Sequence, residues 1–148
     1  MSDVTIRPLQ ISDEPAWHAL WQSYLEFYEQ DLPASLSDEL FQRLLSPDFH
    51  RAFVAVDSGK LVGFVHYLFH DSTWSLKKTC YLEDLFVCPN TRGGGAGRKL
   101  IEAVYAAAEA EQTASGNVYW HTNQDNERAR LLYDRIGVLS DYVRYERP

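Results

Sequence analysis

The stretch that most constrains the fold is Tyr81–Val104, YLEDLFVCPNTRGGGAGRKLIEAV. Its first part continues the apolar and aromatic run that begins at Thr79 and reads as a strand, Thr79 to Val87. Its last part places Leu100, Ile101 and Val104, with Ala107 and Ala108 beyond, on one face of a helix. Between them lie Arg92, Gly93, Gly94, Gly95, Ala96 and Gly97. Glycine loses more conformational freedom on folding than any other residue, so such a cluster needs a reason: a left-handed backbone, or something that approaches too closely for a Cβ. A glycine turn feeding a helix exposes backbone N–H groups at the positive end of the helix dipole, which makes it a cradle for an anion. A strand, turn and helix in this order also predict a right-handed crossover to a parallel strand.

The rest of the chain supplies the partners. Val4–Leu9 reads as a short strand. Ser12 and Asp13 are candidate N-caps for a helix carrying Trp17, Leu20, Trp21, Tyr24, Leu25 and Tyr28, and a second helix is expected over Ser37–Leu45. Arg51–Asp57, the turn Ser58-Gly59-Lys60 and Leu61–Phe69 form an antiparallel hairpin. After the glycine-started helix, Val118–Thr122 reads as a strand, Asp125–Gly137 as a helix stopped by glycine, and Tyr142–Arg147 as a last strand. The order β-α-α-β-β-β-α-β-α-β predicts an α/β domain with a mixed, mostly antiparallel sheet flanked by helices, spanning residues 1–148 as one domain.

A net charge of −7 argues against nucleic acid as the partner and favours cationic ligands. Cys80 and Cys88 imply no disulfide framework, no signal-peptide pattern or apolar run long enough to span a membrane is visible, and a cytoplasmic location is expected. The five histidines and two cysteines show no metal-ligand spacing, so no metal is expected.

Three phosphate cradles compete for the glycine turn. The P-loop needs a hydroxyl after its lysine, and here Leu100 follows Lys99. The dinucleotide fingerprint would put its third glycine at Arg98. The run RGGGAG, Arg92 to Gly97, instead resembles the R-x-x-G-x-G/A turn of the GNAT superfamily of N-acetyltransferases, with Arg92, Gly95 and Gly97 in register. NERARLLYDRIGV resembles that family's second signature through Asn126, Ala129, Leu132, Tyr133 and Gly137, departing only at Val138, where an aromatic is usual. Within the family, YLEDLFV is similar to diamine acetyltransferases, and Leu100–Arg147 looks more like the yeast-type histone and polyamine enzymes.

The resemblance implies acetyl-coenzyme A as cosubstrate. It implies a pyrophosphate site at Arg92, Gly93, Gly94, Gly95, Ala96, Gly97 and Arg98, and contacts along the arm from the backbone of Leu85, Phe86 and Val87 and from Asn126. Acyl transfer to an amine needs a deprotonated amine, a polarised carbonyl and a proton for the leaving thiolate. Glu83 and Asp84 are the candidate bases or anchors for a cationic acceptor, and as adjacent strand residues they are expected on opposite faces. A structural ion pair or an exposed edge is the other reading. Tyr133 is the candidate acid, and core packing is its other reading. Tyr24, Phe27 and Tyr28, with Trp74, either wall an acceptor pocket or belong to the core.

These residues predict an acetyl-coenzyme A-dependent N-acetyltransferase acting on a small cationic amine: a polyamine, a diamine or an amino-acid-like molecule. A protein lysine or histone-type acetyltransferase is the alternative enzyme. A non-catalytic acyl-coenzyme A sensor is the alternative of another class, and intact Glu83 and Tyr133 argue against it. A homodimer is expected, with the last strand paired or exchanged between subunits as in the yeast-type relatives.

Overall fold

Ser58 and Gly59 both take positive φ, 52° and 80°, the pair of left-handed residues a tight two-residue hairpin requires. They join β2 (Arg51–Asp57) to β3 (Lys60–His70). The computed structural model describes residues 3–91 and 94–148. Around the hairpin, β1 (Val4–Pro8) pairs antiparallel with β2, β4 (Lys78–Val87) antiparallel with β3, and β5 (Ala114–Tyr119) parallel with β4. The sheet order is β1-β2-β3-β4-β5. The helices are α1 (Glu14–Phe27), α2 (Ala34–Leu44), α3 (Ala96–Ala110) and α4 (Glu127–Ile136). This is the mixed, mostly antiparallel sheet with helical flanks that the element order predicts.

Both faces of the sheet are buried. On one face Trp17, Trp21 and Leu25 of α1 and Phe41 of α2 pack on Val54, Phe64 and Phe86. On the other, Leu100, Ile101 and Val104 of α3 pack on Val65, Cys80 and Leu82, with Leu132, Tyr133 and Ile136 of α4 at the margin. Asp13 does not cap α1 with its side chain. Its buried carboxylate accepts from Arg7 Nη1 and Nη2 at 2.8 and 2.9 Å and from the Gln10 N–H at 2.8 Å. The Arg7 hydrogen bonds hold Asp13 below the usual carboxylate range and fasten β1 to the start of α1.

Three elements differ from the sequence reading. The second helix starts at Ala34, directly after Pro33, which is suited to a helix entry. The fifth strand is Ala114–Tyr119 rather than Val118–Thr122. Pairing with β4 recruits Ser115, Gly116 and Asn117 against their weak strand preference, and Gly116 at φ 90° absorbs the irregular register between Lys78 and Cys80. Tyr142–Arg147 forms no strand: beyond Gly137 the chain is irregular, with Val138 96% and Tyr145 92% exposed. A strand exists only through its neighbours, and among the described residues of one chain no strand pairs with this segment.

Candidate active site

The site is made by a strand that loses its neighbour. Parallel pairing of β4 with β5 runs through Cys80↔Val118 and Tyr81↔Tyr119 and then stops, while β4 continues to Val87 paired only with β3. The edge of β4 that faced β5 is therefore open over Leu82–Val87. Beyond Tyr119 the chain turns away because Trp120 packs on α4: its ring lies 5.5 Å from that of Tyr133 at 72°. A Cβ on Gly137 would come within 2.9 Å of Trp120, so the end of α4 closes down on this ring only with glycine there.

A β-bulge aims the open strand. His66 faces Asp84 and Tyr67 faces Leu82, leaving Glu83 as the extra residue. Leu82 and Leu85 consequently pack into the same α3-side core despite their odd spacing, while Phe86 turns into the α1-side core. The expectation that Glu83 and Asp84 point to opposite faces rests on an unbroken pleat, and the bulge breaks it. Both charges act on the Tyr24 phenol of α1. Glu83 Oε1 lies 2.6 Å from His50 Nε2. Asp84 Oδ1 accepts from Tyr24 Oη at 2.7 Å, and Oδ2 lies 3.0 Å from His66 Nδ1. The Glu83 hydrogen bond raises the pKa of His50.

Two tyrosines of α1 close on these carboxylates, and Tyr133 of α4 adjoins Tyr28. Burial, reinforced by Asp84, pushes the Tyr24 and Tyr28 phenols up, and their rings meet edge to face at 5.0 Å. Burial, reinforced by Tyr28, pushes Tyr133 up to about 12, so it holds its proton at neutral pH. Tyr24, Tyr28, Glu83 and Asp84 are thus brought together, with Tyr133 adjoining Tyr28. Phe27 is 56% exposed beside Tyr28. Trp74 is not part of the group: it stands in the β3–β4 loop, 91% exposed, away from these rings. The side chains of Leu85, Phe86 and Val87 go into the two cores, so these residues offer the opening their backbone.

At the end of β4 a short 3-10 turn, Pro89–Thr91, leads to α3, whose N-cap is Gly95. Gly95 takes φ 80°, which accounts for its glycine without any ligand. Gly97 is different. A Cβ there would make only ordinary contacts, 3.5 Å to Leu132 and 3.8 Å to Val87. Packing tolerates a side chain at this point beside the opening, which fits a position kept bare for a ligand. Gly94 and buried Ala96 flank the cap. Arg98 is half exposed, 3.5 Å from Glu102, and Lys99 Nζ is engaged with the Val4 carbonyl at 3.0 Å. Arg92 and Gly93 lie outside the described residues. Asn126 caps α4, its Oδ1 accepting from the Ala129 N–H at 3.3 Å. Among the described residues no group of three or more His, Cys, Asp or Glu is placed to hold a metal ion, and no helix is long and apolar enough to cross a membrane.

His50, His66 and Trp17 are the site residues that sequence reasoning missed. Residue type and spacing carry no signal for them; only the β3–β4 register brings His66 to Asp84.

Known proteins share this architecture. The structure of a ribosomal-protein-alanine N-acetyltransferase from Brucella melitensis superposes with a TM-score of 0.78 at 25% identity over 99% of both chains. An aminoglycoside N-acetyltransferase in complex with CoA shares the fold, with a TM-score of 0.79 at 19% identity over 100% of this chain and 96% of that one. In sequence, the D-amino-acid N-acetyltransferase of Saccharomyces cerevisiae is 34% identical over 147 residues, 97% of this chain and 90% of that protein. The thialysine N-epsilon-acetyltransferase of Bos taurus is 36% identical over 81 residues, 53% of this chain and 44% of that one. The model of the Acetyltransferase (GNAT) family matches residues 17–138. Because that match spans both the glycine turn and the α4 segment, the chain belongs to the GNAT family of N-acetyltransferases.

Proposed function

We propose that the protein transfers an acetyl group from acetyl-CoA to the primary amine of a small cationic acceptor: a polyamine, a diamine or an amino-acid-like molecule. The observation that carries this reading is the convergence of Glu83 and Asp84, co-oriented by the bulge, with Tyr24 and Tyr28 at the open edge of β4. The names of two relatives, one for D-amino acids and one for thialysine, support a small amine. The likeness to a ribosomal-protein-alanine N-acetyltransferase favours a protein amine as second reading. Rates with a panel of diamines, amino acids and basic peptides separate the two.

Acetyl-CoA, when bound, supplies the acetyl group as an activated thioester. The residues present suit it: the bare backbone of Gly94–Gly97 and the first turn of α3, with Arg98 and, by resemblance, Arg92 and Gly93, would hold the pyrophosphate. The open backbone of Leu85–Val87 and the side chain of Asn126 would take the arm. Asp84 anchors the ammonium form of the acceptor, Glu83 with His50 accepts its proton, and Tyr133 holds a proton for the leaving sulfur. We further read the exposed tail as a dimer element. β5 is the last strand of the sheet, and Arg144 of the tail lies close enough to Tyr81 to oppose the rise that burial and Glu83 impose on that phenol. An unpaired edge beside an unpaired apolar segment suits strand exchange with a second copy.

Acetyl-CoA at about 100 times its dissociation constant should stabilise the protein by about 2.7 kcal/mol. Gly95→Asp should abolish that ligand-dependent gain, whatever its cost to the unliganded protein. A melting temperature indifferent to millimolar acetyl-CoA contradicts the cofactor site.

Tyr133→Phe keeps the ring against Trp120 and removes the proton. It should lower kcat about a hundredfold, with little change in KM for acetyl-CoA. An unchanged kcat, with chemistry rate-limiting, assigns Tyr133 to packing alone.

Glu83→Gln removes the partner that raises His50. Because the folded pKa of His50 is raised, the pair stabilises the protein fully below the unfolded imidazole value and fades as pH rises through the folded one. The variant should lose that acid-side stability. It should also lower kcat/KM for a cationic amine, with partial recovery at higher pH as free amine accumulates. Loss of the stability slope with wild-type rates makes the pair structural only.

Removing residues 138–148 should convert a dimer into a monomer in analytical ultracentrifugation; a full-length chain that sediments as a monomer excludes the exchange.

A further inference from the structure

Asp84 and Glu83 each face a histidine, but the two pairs carry different net charge. His66 is 1% exposed, and its Nε2 lies 3.2 Å from Trp17 Nε1. An indole N–H can only donate, so His66 Nε2 must present a lone pair and the ring proton sits on Nδ1. That proton is donated to Asp84 Oδ2 at 3.0 Å. An imidazolium would turn an N–H against the N–H of Trp17, inside a wall made by Phe64, stacked at 4.5 Å, and Trp21 at 5.5 Å. His66 is closed to the surface there, and a buried donor without a partner is costly. The Trp17 donor therefore selects the Nδ1–H tautomer of His66, and Asp84 receives a hydrogen bond from that ring. Each Asp84 oxygen takes one hydrogen bond, from His66 and from Tyr24, and each keeps a lone pair free. The carboxylate is 17% exposed, enough to meet a ligand.

His50 lacks such a lock. It is 36% exposed and bonds Glu83, with Asp84 a further and smaller influence on it, and the Glu83 pair cancels when His50 takes a proton. Around Asp84 the other titratable groups among the described residues are Tyr24 and Tyr28 from α1, Tyr81 and Glu83 on β4, and His50 from the segment before β2. His18 of α1 lies beside the Trp17 ring at 5.0 Å and 3.4 Å from Asp38, and β3 contributes the uncharged Phe64. Of the two histidines that touch the site carboxylates, His66 is the one whose second ring nitrogen is taken by an indole donor.

We propose that Trp17 and His66 are positioning residues that hold Asp84 as a fixed, uncancelled anion, and that this carboxylate is what binds the ammonium of the acceptor through the neutral pH range. The inference rests on the cationic-acceptor reading above, and it adds the device that makes one of two neighbouring carboxylates insensitive to pH.

Trp17→Phe keeps an aromatic ring and removes the N–H, which frees His66 Nε2 to accept a proton. KM for a diamine should then rise steeply as pH falls from 8 to 6, approaching tenfold per pH unit beyond the wild-type slope, the limit for one linked proton. KM for acetyl-CoA should not follow. Adding His66→Gln to that variant should remove the extra slope, because an amide cannot charge. In the wild-type background His66→Gln should keep acceptor KM within about threefold, its carbonyl accepting from Trp17 and its amide donating to Asp84, whereas His66→Leu should raise it well beyond. An extra slope absent in Trp17→Phe, or Gln behaving like Leu, overturns the proposal. Nitrogen-15 NMR of His66 in the wild-type protein checks the ring without any acceptor or variant: one protonated nitrogen, Nδ1, is expected between pH 6 and 8. A doubly protonated ring refutes the positioning role. An Nδ1–H ring in a protein that acetylates no cationic amine refutes the acceptor reading instead.

Discussion

The structure depends on β4 being a sheet strand along one edge and a free strand along the other. Over Leu82–Val87 it is held by β3 and abandoned by β5. Backbone N–H and C=O groups are obligatory hydrogen-bonding groups, so an edge opened inside a folded domain must be met by water or by a ligand. The strand can be left open because it is anchored elsewhere: Phe86 is buried under α1, and Leu85 and Val87 pack toward α3. The same strand delivers the chain, through Pro89–Thr91, to the N-terminus of α3, so the open backbone and the helix dipole are set side by side.

The bulge at Glu83 is the second constraint. One extra residue turns two adjacent carboxylates toward the tyrosines of α1, where an unbroken pleat would have hidden one of them. Their surroundings then divide the work. Asp84 sits between a buried histidine and a phenol. Glu83 sits half exposed beside a histidine whose protonation it favours. Like carboxylates with unlike partners are what the proposed roles, one binding a cation and one removing a proton, require.

Much of this was legible in the sequence, and the failures have identifiable causes. The β2–β3 hairpin, the glycine-started helix and α4 follow from local turn and cap chemistry, so they stand where periodicity places them. β5 was misplaced because Ser115, Gly116 and Asn117 have no strand preference of their own and enter the sheet only through β4. Tyr142–Arg147 has the alternation of a strand but no neighbour in one chain. Glu83, Asp84 and Tyr133 could be singled out from their motifs, whereas the bulge that co-orients the two acids is a property of register. His66 and Trp17 were invisible for the same reason: they are 49 residues apart, and only the packing of α1 on β3 makes them partners. Trp74 has the residue type of a pocket wall, but in the β3–β4 loop it stands 91% exposed.

The most direct measurement is a crystal structure of the protein with CoA and a diamine bound together. The account predicts the pyrophosphate on the first turn of α3 at Gly95–Arg98 and the thiol end along the backbone of Leu85–Val87. The amine should lie between Asp84 and Glu83, with Tyr133 within hydrogen-bonding reach of the sulfur. A cofactor bound away from α3, or a diamine that leaves both carboxylates to their histidines, would contradict it.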